Sequence, residues 1–248
     1  GLASDCSSLE ELYVLWQTMH HTEADTVGKT CHMEIDKRSF HIDGILNPEK
    51  FSGVLYILKE PSLKRYIQKG LTFPVITDIR TEYRRYKKGY EDECGYLAGM
   101  QRLLLGEASA SMTNQQVMDT LAAIYINKRG GKESSDDIWL NYGYEYIEFL
   151  KRQIRLIDPR VIVCCGEEIF KLVVKEVFYN KKHIRNRGDH MIWKDMADTG
   201  YRHTADPAKT AVVVVNMWSP AYRVNKDQYL SPEEYLKEFE RRIKGMVM

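Results

Sequence analysis

Three short stretches pair residue types that can do chemistry with the turn formers that would expose them. Lys59-Glu60-Pro61-Ser62 offers a carboxylate, and Asn127-Lys128-Arg129-Gly130-Gly131 offers a carboxamide and two cations before a glycine pair. Trp218-Ser219-Pro220-Ala221-Tyr222-Arg223 sets a hydroxyl among aromatics and an arginine. A carboxylate can take a proton from water or stabilise a developing cation. A carboxamide donates and accepts in one plane, so it can read a partner that presents both functions. Each stretch follows an apolar, β-branched run, so the three meet only if those runs are neighbouring strands pointing the same way.

The runs support that arrangement. Residues 53–59, 122–127, 160–166 and 211–216 are short, rich in Val, Ile, Tyr and Cys, and bounded by polar or turn-forming residues, the pattern of strands. The two valine-rich runs barely alternate, as strands covered on both faces do. Helical spacing falls between them. Residues 9–20 place Leu9, Leu12, Tyr13, Leu15 and Trp16 on one face behind Ser7 and Ser8, with Glu10 and Glu11 in the first turn. Residues 142–157 carry Tyr146, Phe149, Leu150, Ile154 and Ile157 and stop before Pro159. A helix over 167–178 follows the third run directly, and Ser231-Pro232 opens a final helix with a capping serine and a proline in its first turn. Strands alternating with helices predict right-handed crossovers and a parallel sheet.

At 248 residues and 44% hydrophobic, the chain can bury a full core. The expected architecture is one α/β domain over 1–248, a three-layer sandwich with a short, central, four-stranded parallel sheet flanked by helices. An N-terminal helical extension over 1–50 and a polar, basic surface insertion over 180–210 complete it. In open parallel sheets, ligands bind beyond the carboxyl ends of the strands, where Glu60, Asn127, Gly166 and Ser219 would share a rim.

In order and spacing these stretches resemble the uracil-DNA glycosylase superfamily, from about residue 53 to 223. Leu58 to Ser62 is similar to the family's first motif, a strand followed by a carboxylate or amide and a proline, with Glu60 at the acidic position. Ile124-Tyr125-Ile126-Asn127 is similar to its strand ending in asparagine, and Gln153 to Gly166 to its helix, proline, strand and glycine. Trp218 to Tyr222 resembles its His-Pro-Ser or His-Pro-Ala loop with one change, Ser219 standing where histidine would be. The resemblance implies hydrolysis of the N-glycosidic bond of uracil or a related modified base in DNA. Glu60 would orient water beside an oxocarbenium-like sugar, and Asn127 would read the flipped base. Ser219 would face the departing base. Phe73, in the loop after the first run, is a stacking candidate, and Lys128, Arg129, Trp218, Tyr222 and Arg223 are candidates for meeting the nucleic acid. Losing one donor to the leaving group typically costs roughly a hundredfold or more in rate. The serine therefore leaves a second reading open, an impaired member that binds a nucleobase, nucleotide or nucleic acid without hydrolysis.

Plainer readings stand beside these. Glu60 could pair with Lys59, and Asn127 and Ser219 could be ordinary turn residues. The basic stretches at 80–90 and 181–187 read either as phosphate-tracking surfaces or as solvated faces. Charges nearly cancel, 36 Lys and Arg against 35 Asp and Glu, so the overall field neither demands nucleic acid nor excludes it. No metal or cofactor is expected. Cys164 and Cys165 are adjacent in a strand rather than part of a cluster-holding quartet, and His20-His21 and Cys31-His32 lack zinc spacing. There is no glycine-rich phosphate loop after the first run. Five irregularly spaced cysteines fit a reducing compartment. With no run of roughly 18–20 apolar residues and no signal-peptide pattern, the expectation is a cytoplasmic protein without a membrane partner.

Overall fold

The computed structural model describes residues 2–71, 75–84, 91–132, 136–177, 184–186, 191–195, 211–220, 223–225 and 228–244. In chain order the strands are β1 (Phe40–Ile42), β2 (Gly44–Ile45), β3 (Val54–Leu58), β4 (Ile76–Asp78), β5 (Leu121–Tyr125), β6 (Val161–Cys165), β7 (Ile184–Asn186), β8 (Met191–Asp195), β9 (Ala211–Met217), β10 (Arg223–Asn225) and β11 (Gln228–Tyr229). The helices are α1 (Leu9–Thr22), α2 (Lys64–Lys69), α3 (Ile79–Arg84), α4 (Glu91–Leu105), α5 (Asn114–Met118), α6 (Ile138–Glu145), α7 (Ile147–Ile157), α8 (Glu167–Leu172) and α9 (Pro232–Ile243).

The four apolar runs become β3, β5, β6 and β9, hydrogen-bonded in parallel in the spatial order β5-β3-β6-β9. Every residue of β3, β5 and β6 is buried, because alternate side chains feed cores on opposite faces. On one face Val54, Tyr56, Leu58, Val163 and Val215 pack with Leu97 and Met100 of α4, Val117 of α5, and Tyr235 and Phe239 of α9. On the other, Leu55, Ile57, Ile162 and Val214 pack with Trp16 of α1, Tyr142 of α6, Ile154 of α7 and Leu172 of α8. The result is the expected three-layer α/β sandwich.

The sheet is wider than its parallel centre. β2 pairs antiparallel with β5 on one side, and β8 then β7 extend β9 antiparallel on the other, giving seven strands. Residues 1–50 are therefore built into the body of the fold: β2 joins the sheet, and α1 places Tyr13 and Trp16 in a core. Of the 180–210 stretch, the described residues are β7 and β8, which lengthen the sheet at that edge.

Local chemistry explains the helix ends. Ser8 accepts from Glu11 N at 3.2 Å ahead of α1. Ser231 and Glu234 form a reciprocal capping box ahead of α9, with Pro232 in its first turn. The helix expected over 142–157 is two helices, broken at Tyr146 (φ −103, ψ 25). The Tyr142 and Tyr146 rings remain 4.5 Å apart against Trp16, so the side-chain spacing survives the break that the backbone makes. The expected helix over 167–178 is α8 followed by a π-helical turn, Val173–Val177.

Candidate active site

The strand register sets the rim. Ile124, Ile57, Cys164 and Asn216 form one row across β5, β3, β6 and β9. Asn127, Glu60, Glu167 and Ser219 each lie three residues beyond that row. Asn127 and Glu60 are on adjacent strands and touch. Ser219 follows β9, two strands from β3, which is about 10 Å at ordinary strand spacing.

Glu60 is enclosed, its side chain only 4% exposed. The amide Nδ2 of Asn127 donates to its Oε2 at 3.0 Å. Oε1 accepts no hydrogen bond from the described residues, and the Lys59 ammonium stands 3.5 Å from it. Burial pushes the Glu60 pKa above the usual carboxylate range. Lys59, the Asn127 hydrogen bond and His32 pull the other way without reversing it. Behind the carboxylate lies Gly131, where a Cβ would fall far inside van der Waals contact with Cδ, Oε1 and Oε2 of Glu60. Only a residue with no side chain leaves the carboxylate this seat. The loop carrying it is stitched to Glu60's own loop, since Gly131 N donates to Pro61 O at 2.9 Å and Leu63 N donates to Gly131 O at 2.8 Å.

Asn127 is fully buried. Its Nδ2 also donates to Gly130 O at 3.1 Å, and its Oδ1 accepts from Arg129 N at 3.0 Å. The carboxamide thus closes its own turn and grips Glu60. In this conformation both of its amide protons and an oxygen lone pair are engaged within the protein, so reading a base would require exchanging those bonds.

Lys128 and Arg129 lie inside the protein rather than on a phosphate-facing surface. Lys128 Nζ is 2.6 Å from Asp43 Oδ2 and donates to Tyr125 O at 2.6 Å, with both charged side chains fully buried. Asp43 also accepts from Tyr125 N at 2.8 Å and Gln153 Nε2 at 2.7 Å. Burial drives Asp43 up and Lys128 down in pKa, each opposed by the other's charge. Arg129 pairs with Glu23, donates to Lys37 O at 2.7 Å and Thr30 Oγ1 at 3.2 Å, and lies over the Tyr142 ring at 5.4 Å. Residues 127–131 therefore hold Glu60 on one side and the N-terminal segment on the other. A cation after a strand in sequence carries no mark of which way it points, and here the acidic partners lie far away in the chain.

Around β9 the final helix fixes the loop. Tyr235 Oη donates to Trp218 O at 2.7 Å, Arg242 donates to Asn216 O, and its guanidinium stacks 4.9 Å over the half-buried Trp218 ring. Ser219 is half-buried on the same rim. Phe73 and Tyr222 lie outside the described residues, as does the side chain of Arg223, whose backbone opens β10.

Sequence reasoning missed Gly131 as the seat of Glu60 and Asp43 as the partner of Lys128. The glycine pair after Asn127 was a usable signal for the first. Nothing local marks the second. Among the described residues no group of three or more His, Cys, Asp or Glu side chains could hold a metal ion, and no helix is long and apolar enough to cross a membrane. In comparison with known proteins, the family model of the uracil DNA glycosylase superfamily matches residues 53–244. No curated protein matches the chain.

Proposed function

The chain belongs to the uracil-DNA glycosylase superfamily, and from that premise we propose that it hydrolyses the N-glycosidic bond of uracil or a related modified base in DNA. Glu60 is the general base. The observation that carries this reading is the enclosed Glu60 carboxylate at the carboxyl end of a parallel strand, one oxygen gripped by Asn127 and the other 3.5 Å from the Lys59 ammonium with no hydrogen bond from the described residues. Its raised pKa suits the task, because a base works best when its pKa lies near the working pH. Water held by Oε1 would attack C1′ and give its proton to Glu60 as the C1′–N bond breaks and the base leaves with the bonding pair. The ionised carboxylate would also stabilise the positive charge that develops on the sugar. Asn127 is then a positioning residue for Glu60 as well as a candidate reader of the base, and Ser219, two residues after β9, is the candidate to face the departing base.

One observation favours the second reading, a member that binds without hydrolysis. The Asn127 carboxamide is already satisfied within the protein, and the position expected to hold a histidine is Ser219. The two readings separate on uracil-containing single- and double-stranded DNA. Hydrolysis predicts abasic product well above that of the Glu60→Ala, Asn127→Ala double variant. Equal product from both proteins, with binding retained, would leave only the binding reading.

A further inference from the structure

Hydrolysis at C1′ of a deoxynucleotide leaves a hemiacetal in equilibrium with its open-chain aldehyde, and a lysine amine can condense with an aldehyde. Lys59 places such an amine beside the carboxylate. It lies between the end of β3 and Glu60, and its Nζ stands 3.5 Å from Glu60 Oε1. The two side chains differ in access. Glu60 is 4% exposed and Lys59 is 31% exposed, so the lysine reaches solvent where the carboxylate does not.

The surroundings keep that amine near its base. Trp139 of α6, partly buried, sets its ring 5.7 Å from Lys59 Nζ, within the range at which a cation is drawn to an aromatic face. The backbone is fixed as well, since Asn127 N donates to Lys59 O at 3.0 Å. The gap to Oε1 is slightly longer than a hydrogen bond, as nucleophile and base commonly are before substrate arrives. Burial raises the Glu60 pKa and makes it a better proton acceptor than an ordinary carboxylate. Lys128, the lysine next to Asn127, cannot serve, because its fully buried Nζ is held by Asp43 and Tyr125 O at 2.6 Å each. A plain salt bridge to Glu60 would be met equally well by arginine, whereas amine chemistry would not.

We propose that Lys59 is a nucleophile that forms an imine with C1′ of the abasic product, making the protein a lyase that cleaves the strand after the base has gone. This rests on the hydrolytic reading above, which brings the aldehyde to Glu60. Glu60 takes a proton from the Lys59 ammonium, and the freed amine bonds to C1′ as the carbonyl pair moves to oxygen. That oxygen leaves as water with the two protons that the nitrogen loses through Glu60, and a protonated C1′=N bond remains. Glu60 then removes a C2′ proton. The pair left behind forms C2′=C3′ as the C3′–O bond breaks, its electrons going to the phosphate, and the proton on Glu60 passes to solvent. Water finally splits the imine, returning the Lys59 ammonium and an unsaturated aldehyde.

The test uses DNA carrying a preformed abasic site, which needs no base release, with borohydride added to reduce C1′=N to a secondary amine. The wild type is expected to form a covalent adduct with this DNA and, without borohydride, to nick it. Peptide mapping should place the adduct on Lys59. Lys59→Ala and Lys59→Arg should each lose adduct and nicking, down to the level of the wild type on a tetrahydrofuran analogue that has no aldehyde. The arginine variant keeps a cation beside Glu60, so its failure is a loss of the amine rather than of the charge. No adduct above the analogue's level, an adduct mapped to another residue, or full trapping by Lys59→Arg would overturn the proposal. Mapping is done on the wild type, so a misfolded variant leaves the test intact. Base release from uracil-containing DNA is followed separately: release without an adduct would overturn the Lys59 role alone, and an adduct on Lys59 without release would overturn hydrolysis alone.

Discussion

Gly131→Ala isolates the seat of Glu60 with a single methyl group. Gly131 has no positive φ, so alanine meets no backbone strain there and the whole effect is steric. The new Cβ would fall inside contact with all three carboxyl atoms of Glu60. Restoring an ordinary non-bonded separation of about 3.5 Å moves the carboxylate on the order of 1–2 Å, which breaks the 3.0 Å bond from Asn127 Nδ2. Misplacing a reacting group by about 1 Å can cost roughly a hundredfold in rate. Gly131→Ala should therefore lower single-turnover base release by about two orders of magnitude. It should change the unfolding midpoint little, because the displaced atoms end a flexible side chain whose buried charge was already disfavoured. Release of abasic product, followed alongside urea denaturation, reads both effects. In the Glu60→Ala background the same methyl has room, so Gly131→Ala should then cost no further activity. A Gly131→Ala protein releasing base at the wild-type rate would refute the claim that this seat positions the catalytic carboxylate.

Three other outcomes are expected. Lys128→Met leaves Asp43 buried without its cation and should destabilise the fold by about 3–5 kcal/mol in urea denaturation, with Asp43→Asn added to it recovering part of the loss. Burial, assisted by the Lys128 charge, holds the His41 pKa down at about 4. The folded pKa lies below the unfolded one, so the stability linked to His41 is fully present above pH 6.5 and is lost as pH falls toward 4, about 3 kcal/mol in all; His41→Asn should lessen wild-type acid sensitivity across that window. His20, held neutral by burial at about 2 and bonded to Tyr142 Oη at 2.6 Å, adds its own loss over the same window and below it, so His20→Asn should lessen the sensitivity there and remove its continuation below pH 4.

The legible parts of this fold were those whose physics is local. β3, β5, β6 and β9 stand out because strands buried on both faces must be continuously apolar, and α9 announces itself through Ser231, Pro232 and Glu234. The break at Tyr146 was not legible, because Tyr142 and Tyr146 keep helical spacing across it. β7 and β8 lie in a polar, basic stretch, and neither three-residue β7 at the sheet's edge nor β8 beside it is a continuous apolar run like the central strands. At the site, Glu60 and Asn127 were legible as residues ending strands, and their contact follows from β3 and β5 being neighbours. Lys128 and Arg129 were misleading, since a charged pair after a strand reads as exposed until its partners are known. Asp43 is 85 residues from Lys128 and Glu23 is 106 from Arg129.

The central claim, that Glu60 is the base for hydrolysis, is tested most directly by the pH dependence of single-turnover base release from uracil-containing DNA for the wild type and Glu60→Gln. The wild-type rate should rise with pH through a single ionisation above the usual carboxylate range, as the burial of Glu60 dictates. Glu60→Gln should be slower by roughly a hundredfold or more and flat across the same span. A Glu60→Gln protein that keeps the wild-type rate and the wild-type limb would contradict the account.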